Sequence, residues 1–127
     1  MSKQYKHSRI TGAIIGAAMK VHSALDNGFP EVIYQRSLAI EFQNQNISYK
    51  REESMPLYYK GKSVSKRRAD FLVAEKVLVE LKALSEINKT HYNQVLNYLK
   101  AFDLEIALLL NFGENSLNFK RFINSNL

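Results

Sequence analysis

The chain has 127 residues, 46% of them hydrophobic, which suits one domain with a buried core and is too apolar for a disordered segment. It has no cysteine, which excludes disulfides, thiolate metal sites and a cysteine nucleophile, and fits a reducing, cytoplasmic setting. Its formal charge of +6 favours a phosphate-rich partner, since lysine and arginine release counterions when they neutralise phosphates, although many small proteins are simply basic.

Lys3, Lys6 and Arg9 precede an apolar stretch from Ile10 to Met19, a pattern loosely like a signal peptide. Lys20 and His22 follow at once, and Ile14, Ala18, Val21 and Leu25 recur at helical spacing. The stretch therefore reads as an amphipathic helix from about Arg9 to Leu25. No run approaches the roughly 20 apolar residues of a membrane span. Asp26-Asn27-Gly28 ends the helix, with Asn27 or Gly28 expected in the left-handed cap. Pro30 suits the first turn of a second helix to about Gln45, which Asn46 closes.

A β-rich section follows: a strand within Ile47 to Tyr59, a turn at Lys60-Gly61-Lys62, and a hairpin of Val64–Val73 with Val77–Lys82. A helix over about Asn88 to Phe102, a buried strand Glu105–Leu110 and a last strand Leu117–Ile123 complete the order. Helix, helix, three strands, helix, two strands predicts one domain over residues 1–127, a mixed α/β sheet with helices packed against it.

The chemistry concentrates in Arg68-Ala69-Asp70 and Val79-Glu80-Leu81-Lys82. Glu80 and Lys82 share a strand face with Leu78, while Val77, Val79 and Leu81 take the other. If Ala74-Glu75-Lys76 is a three-residue loop, Val73 pairs with Val77 and Asp70 lies opposite Glu80; a two-residue loop puts Asp70 on the wrong face. Two such carboxylates repel unless a cation sits between them or one is protonated. They could hold a hard cation such as Mg²⁺, with the lysine acting on its water or on phosphate charge. A solvated Asp/Glu/Lys cluster on a sheet edge would look the same by geometry alone.

Upstream, Gly28, Glu31 and Tyr34 recur at intervals of three. Glu31 in the first turn of its helix is also explained by the helix dipole, and Tyr34 by ordinary partial burial. In the third helix His91, Gln94 and Tyr98 form a stripe apart from the apolar one of Tyr92, Val95, Leu96, Leu99 and Phe102; such a stripe is usually a wet face.

Taken together and in this order, these pieces resemble the GxxExxY protein family, a branch of the PD-(D/E)XK nuclease superfamily. The likeness runs from Ile10-Thr11-Gly12-Ala13 and Val21-His22 through Gly28, Glu31, Tyr34 and Tyr58-Tyr59-Lys60-Gly61-Lys62. It continues through Arg68-Ala69-Asp70, Val79-Glu80-Leu81-Lys82 and Gln94 to Leu99, and ends at Asn111-Phe112-Gly113. The resemblance implies a restriction-endonuclease-like αβββαβ core with a Mg²⁺ or Mn²⁺ site where the second and third strands meet. Asp70 and Glu80 would be metal ligands, Lys82 the catalytic lysine and Glu31 an extra acid. Gln94 and Tyr98 look like the Gln-x-x-x-Tyr motif that lies beside the site in recombination-type nucleases. Ala69 stands where the superfamily nominally has proline, and Lys20 where many members have an acid. His22 matches the family pattern without an assignable role, and His91 has none either.

The implied activity is hydrolysis of phosphodiester bonds in DNA, less readily RNA. The competing reading is a nucleic-acid- or partner-binding module that keeps the fold without turnover. Either admits a homodimer or a protein partner.

Overall fold

Each expected element forms, with ends shifted by one or two residues. The structure, a computed structural model, describes residues 7–125, so Lys3 and Lys6 of the basic start lie outside the described residues. The elements are α1 (Ser8–Leu25), α2 (Glu31–Asn44), β1 (Tyr49–Tyr59), β2 (Lys62–Val73), β3 (Val77–Lys82), α3 (Lys89–Ala101), β4 (Ile106–Asn111) and β5 (Asn118–Ile123). No helix among them is long and apolar enough to cross a membrane.

The strands form one sheet in the order β1-β2-β3-β4-β5. All neighbours are antiparallel except β3 and β4, which are parallel and joined through α3. Strands β3 and β4 are buried along almost their whole length because helices cover both their faces. On one side Val77, Val79, Leu81, Ile106, Leu108 and Leu110 pack with Ile14 and Val21 of α1 and Leu38 and Phe42 of α2. On the other, Leu78, Ala107 and Leu109 pack with Val95 and Leu99 of α3.

Local chemistry sets the turns. Lys60 and Gly61 both have positive φ (49° and 79°), the pattern of a two-residue type I′ hairpin, whose twist suits the flanking strands. Ala74-Glu75-Lys76 is the three-residue loop that the hairpin register requires, and Val73 pairs with Val77. Two termini differ from expectation. The left-handed residue after α1 is Asp26 (φ 58°), whose N–H reaches the His22 carbonyl, while Gly28 (φ 113°) serves the next bend. Pro30 precedes α2 as its N-cap, which makes Glu31 the first helical residue.

Two features position the site. Strand β2 pairs with β3 only at Phe71, Leu72 and Val73, so before Phe71 its ladder runs with β1 alone. At the far end of β3, buried Asn111 straps down the chain that follows Lys82. Its Oδ1 accepts from the Leu84 N–H and its Nδ2 donates to the Leu84 carbonyl, both at 2.9 Å. Gly113 lies so close to that strap that an added Cβ would come within 2.3–2.5 Å of Leu84 backbone atoms.

Gly113→Ala should therefore destabilise the fold by about 1–3 kcal/mol, since backbone must move to admit one methyl. Gly12→Ala, in an exposed position of α1 with open space around it, should stabilise by roughly 0.5–1 kcal/mol. Urea unfolding of both variants against the parent checks the pair of opposite signs.

Candidate active site

The alternation of β2 slips at Asp70. Ala69 packs on the α3 side and Phe71 on the α1–α2 side, although two residues of one strand should share a face. In β1 the residue between the pairs Arg51↔Phe71 and Glu53↔Ala69 is Glu52, whose φ of 56° marks the same twist. Beyond Phe71↔Val79 the β2–β3 ladder stops, so Asp70 and Glu80 are not a paired rung. Side chains take over its bonds instead. The Asp70 N–H donates to Glu80 Oε2 at 3.2 Å, and Asp70 Oδ2 accepts from the Leu81 N–H at 2.8 Å. The two carboxylates are thus brought together where the strands part.

Neither carboxylate is comfortable. Glu80 is buried, and burial followed by the nearby Asp70 charge pushes its pKa up to about 7, against the opposing pull of Arg67, the Asp70 N–H and Lys82. Burial raises Asp70 as well, opposed by the Leu81 N–H, Gln35, Arg67 and Lys82. Lys82 ends β3 half-buried, on the Glu80 face.

Helix α2 contributes from the side. Gly28 turns the chain, and the Tyr34 hydroxyl donates to the Asp26 carbonyl at 2.5 Å and accepts from the Phe29 N–H at 3.2 Å. The Tyr34 ring is fully buried and stacks on Phe112 at 4.7 Å. The spacing Gly28, Glu31, Tyr34 therefore has a mechanical sense: a bend, a presented acid, and an anchor. Burial and then Asp70 raise the Glu31 pKa, while Lys82 and Arg67 lower it, so its charge is felt at the site. One turn on, Gln35 Nε2 donates to Asp70 Oδ1 at 2.9 Å. The sequence reading missed Gln35, although its place four residues after Glu31 on one helix face was the available signal.

Arg67 was missed as well. It turns inward and forms an ion pair with Glu80. Its guanidinium also lies over the Tyr98 ring, 4.8 Å from the centroid. Tyr98 thereby touches the site through Arg67. Gln94 is exposed one turn earlier and lines an open groove of α3 with Thr90, Asn93, Asn97 and Tyr98. Two histidines have structural work. His91 Nδ1 accepts from the Asn88 N–H at 3.1 Å, completing a capping box at the start of α3. His22 is buried, donates from Nε2 to the Glu114 carbonyl at 2.8 Å, and ties α1 to the β4–β5 loop.

No three His, Asp or Glu side chains gather as a metal cage among the described residues. A cage is not required of a cation that uses one or two carboxylates and keeps several waters, as Mg²⁺ does. Half-buried Asp70 and buried Glu80, both disfavoured as anions, fit such a cation by the chemistry of the donor set.

The model of the PD-(D/E)XK nuclease superfamily matches residues 8–122 of the chain. PD-(D/E)XK nucleases typically use divalent metals. Among solved structures, the crystal structure of SSO0001 is similar in fold, with a TM-score of 0.57 and 20% sequence identity over 73% of this chain. The match covers 50% of the SSO0001 chain, so this chain spans about half the length of that structure. No curated protein matches the sequence.

The raised Glu80 pKa makes stability depend on pH. The folded chain holds an extra proton between about 4.5, the ordinary glutamate value, and about 7, so stability declines as pH rises through that window. Asp70 and Glu31 shift in the same direction and add to the decline. In chelator at pH 8, Glu80→Gln should stabilise the protein by about 1–3 kcal/mol and flatten the dependence. Urea midpoints of parent and variant at pH 5 and pH 8 measure both effects.

Proposed function

The chain belongs to the PD-(D/E)XK nuclease superfamily, and on that footing we propose that it is a Mg²⁺- or Mn²⁺-dependent phosphodiesterase of the GxxExxY branch, acting on DNA. The observation that carries this reading is half-buried Asp70 set against buried Glu80, with Lys82 on the same strand face as Glu80. A purely structural domain gains nothing from two acids withdrawn from water side by side where strands part.

In this reading Asp70 and Glu80 hold the cation. When bound, it lowers the pKa of a water and offsets charge on a phosphoryl oxygen. Gln35 and the Leu81 N–H fix the two oxygens of Asp70, so that carboxylate needs little reorganisation. Lys82 orients the attacking water or meets the charge that grows on the phosphate. Glu31 adds a further acid from α2. Arg67 leaves Glu80 for the incoming phosphate, and Tyr98 supports its guanidinium, while Gln94 lines the groove along which the strand passes. The absence of cysteine suits a cytoplasmic enzyme.

One observation favours the second reading, a binding module without turnover: Arg67 already neutralises Glu80. The two readings part on variants. Glu80→Ala should abolish cleavage of DNA in Mn²⁺, and Lys82→Ala should lower it about 10²–10³-fold while leaving metal binding largely intact. Mn²⁺ should raise the thermal midpoint of the parent and not of Glu80→Ala, since only a state that binds the ion is stabilised by it. Equal cleavage by parent and Glu80→Ala, or none by the parent in any divalent metal, would leave the binding module as the function.

A further inference from the structure

Between Ser54 and Arg68 the β1–β2 hairpin carries Lys60, Lys62, Lys66, Arg67 and Arg68 and no acidic residue. These charges divide into two groups. Arg67 turns into the site, and Arg68 lies 3.7 Å from Glu52. Lys60, Lys62 and Lys66 make no ion pair among the described residues, and Lys60 rests over the ring of Tyr59. Every residue from 58 to 66 is exposed. Strand β1 is the outer strand of the sheet, and β2 pairs with β3 only at Phe71 to Val73, so both long edges of this arm are open. With six or seven residues on each strand it is about 20 Å long. Its root, at Arg67, touches Glu80.

We infer that the arm is a grip for a nucleic-acid duplex. It lies in the major groove, with Lys60, Lys62 and Lys66 against the phosphates, and holds the backbone beside Asp70 and Glu80. A two-stranded ribbon is one of the shapes that the major groove admits. Exposed tyrosines can build a stacking platform for a single strand, but such platforms need aromatics in series along one face. Tyr58 and Tyr59 are neighbours in one strand and so point to opposite faces. The inference rests on the nuclease reading for what the arm serves, though binding can be measured without any cleavage. The competing explanation is that the lysines only keep two open edges from pairing with other chains.

The test uses the wild-type chain in chelator, where it cannot turn over, with a fluorescent 20-base-pair duplex and the matching single strand. Affinity is followed by anisotropy from 50 to 200 mM salt. Lys62→Gln/Lys66→Gln is compared with Lys20→Gln/Lys76→Gln, which removes the same charge from exposed positions outside the arm. Each phosphate contact adds about 0.9 to the slope of log affinity against log salt on a duplex. The arm variant should therefore lose about 2 from that slope and bind the duplex about ten- to a hundredfold more weakly at 0.1 M salt, while the control keeps its slope. Tyr58→Ala should leave duplex affinity nearly unchanged. An unchanged thermal midpoint and circular dichroism verify that the exposed substitutions spare the fold. Equal losses in arm and control variants, a loss confined to the single strand, or self-association with duplex affinity intact would each overturn the inference. If the parent fails to cleave in metal but the arm effects hold, the nuclease reading falls and the grip stands. Cleavage by the parent with no arm effect gives the reverse.

Discussion

Buried Glu80 and half-buried Asp70 lie against each other where β2 leaves β3, and much of the molecule can be understood as accommodating them. A buried anion is tolerated only with donors and opposite charge around it. The donors come from every direction: the Asp70 and Leu81 backbones from the sheet, Gln35 from α2, and Arg67 from the base of the arm. The sheet gives up ladder bonds at this point, and the strands gain room to separate. The separation is also what frees the arm from β3, so the pocket and the projecting ribbon have one origin in the chain.

Two fastenings keep the surrounding elements in place. Tyr34 anchors the bend between α1 and α2 through its hydroxyl and its stack on Phe112, which holds the Glu31–Gln35 face of α2 toward Asp70. Asn111 ties down Leu84, so the chain beyond Lys82 cannot fray from the end of β4. Each works by fixing the element that carries it.

The fold was legible in the sequence because its signals are periodic. Alternation in Val77–Lys82, helical spacing in α1 and α3, and the Lys60-Gly61 turn all have local causes, and the hairpin register followed from the length of one loop. That Asp70 and Glu80 lie near each other was legible from the same register, although they meet through side-chain bonds and not as a paired rung. The twist at Asp70 was not, since the residues around it carry no local turn signal, and Glu52 takes its positive φ without being a glycine. Gln35 resembles any polar residue of a surface helix, and Arg67 any member of a basic run; their roles depend on contacts across 35 and 13 residues of chain. The two histidines show the converse. Neither had an assignable role in the sequence, and each is taken up by a cap or a loop tie.

The β2–β3 hairpin has a further consequence for how the chain reaches this structure. It closes over a three-residue turn, whereas the parallel partnership of β3 with β4 must wait for the whole of α3. Contacts of short range form early and cheaply in loop entropy. Asp70 and Glu80 therefore meet in water, before Gln35 or the helices arrive, with Arg67, Arg68 and Lys82 as the cations near them in sequence. An early step of assembly is opposed by the same like charges that the finished protein holds ready for a cation.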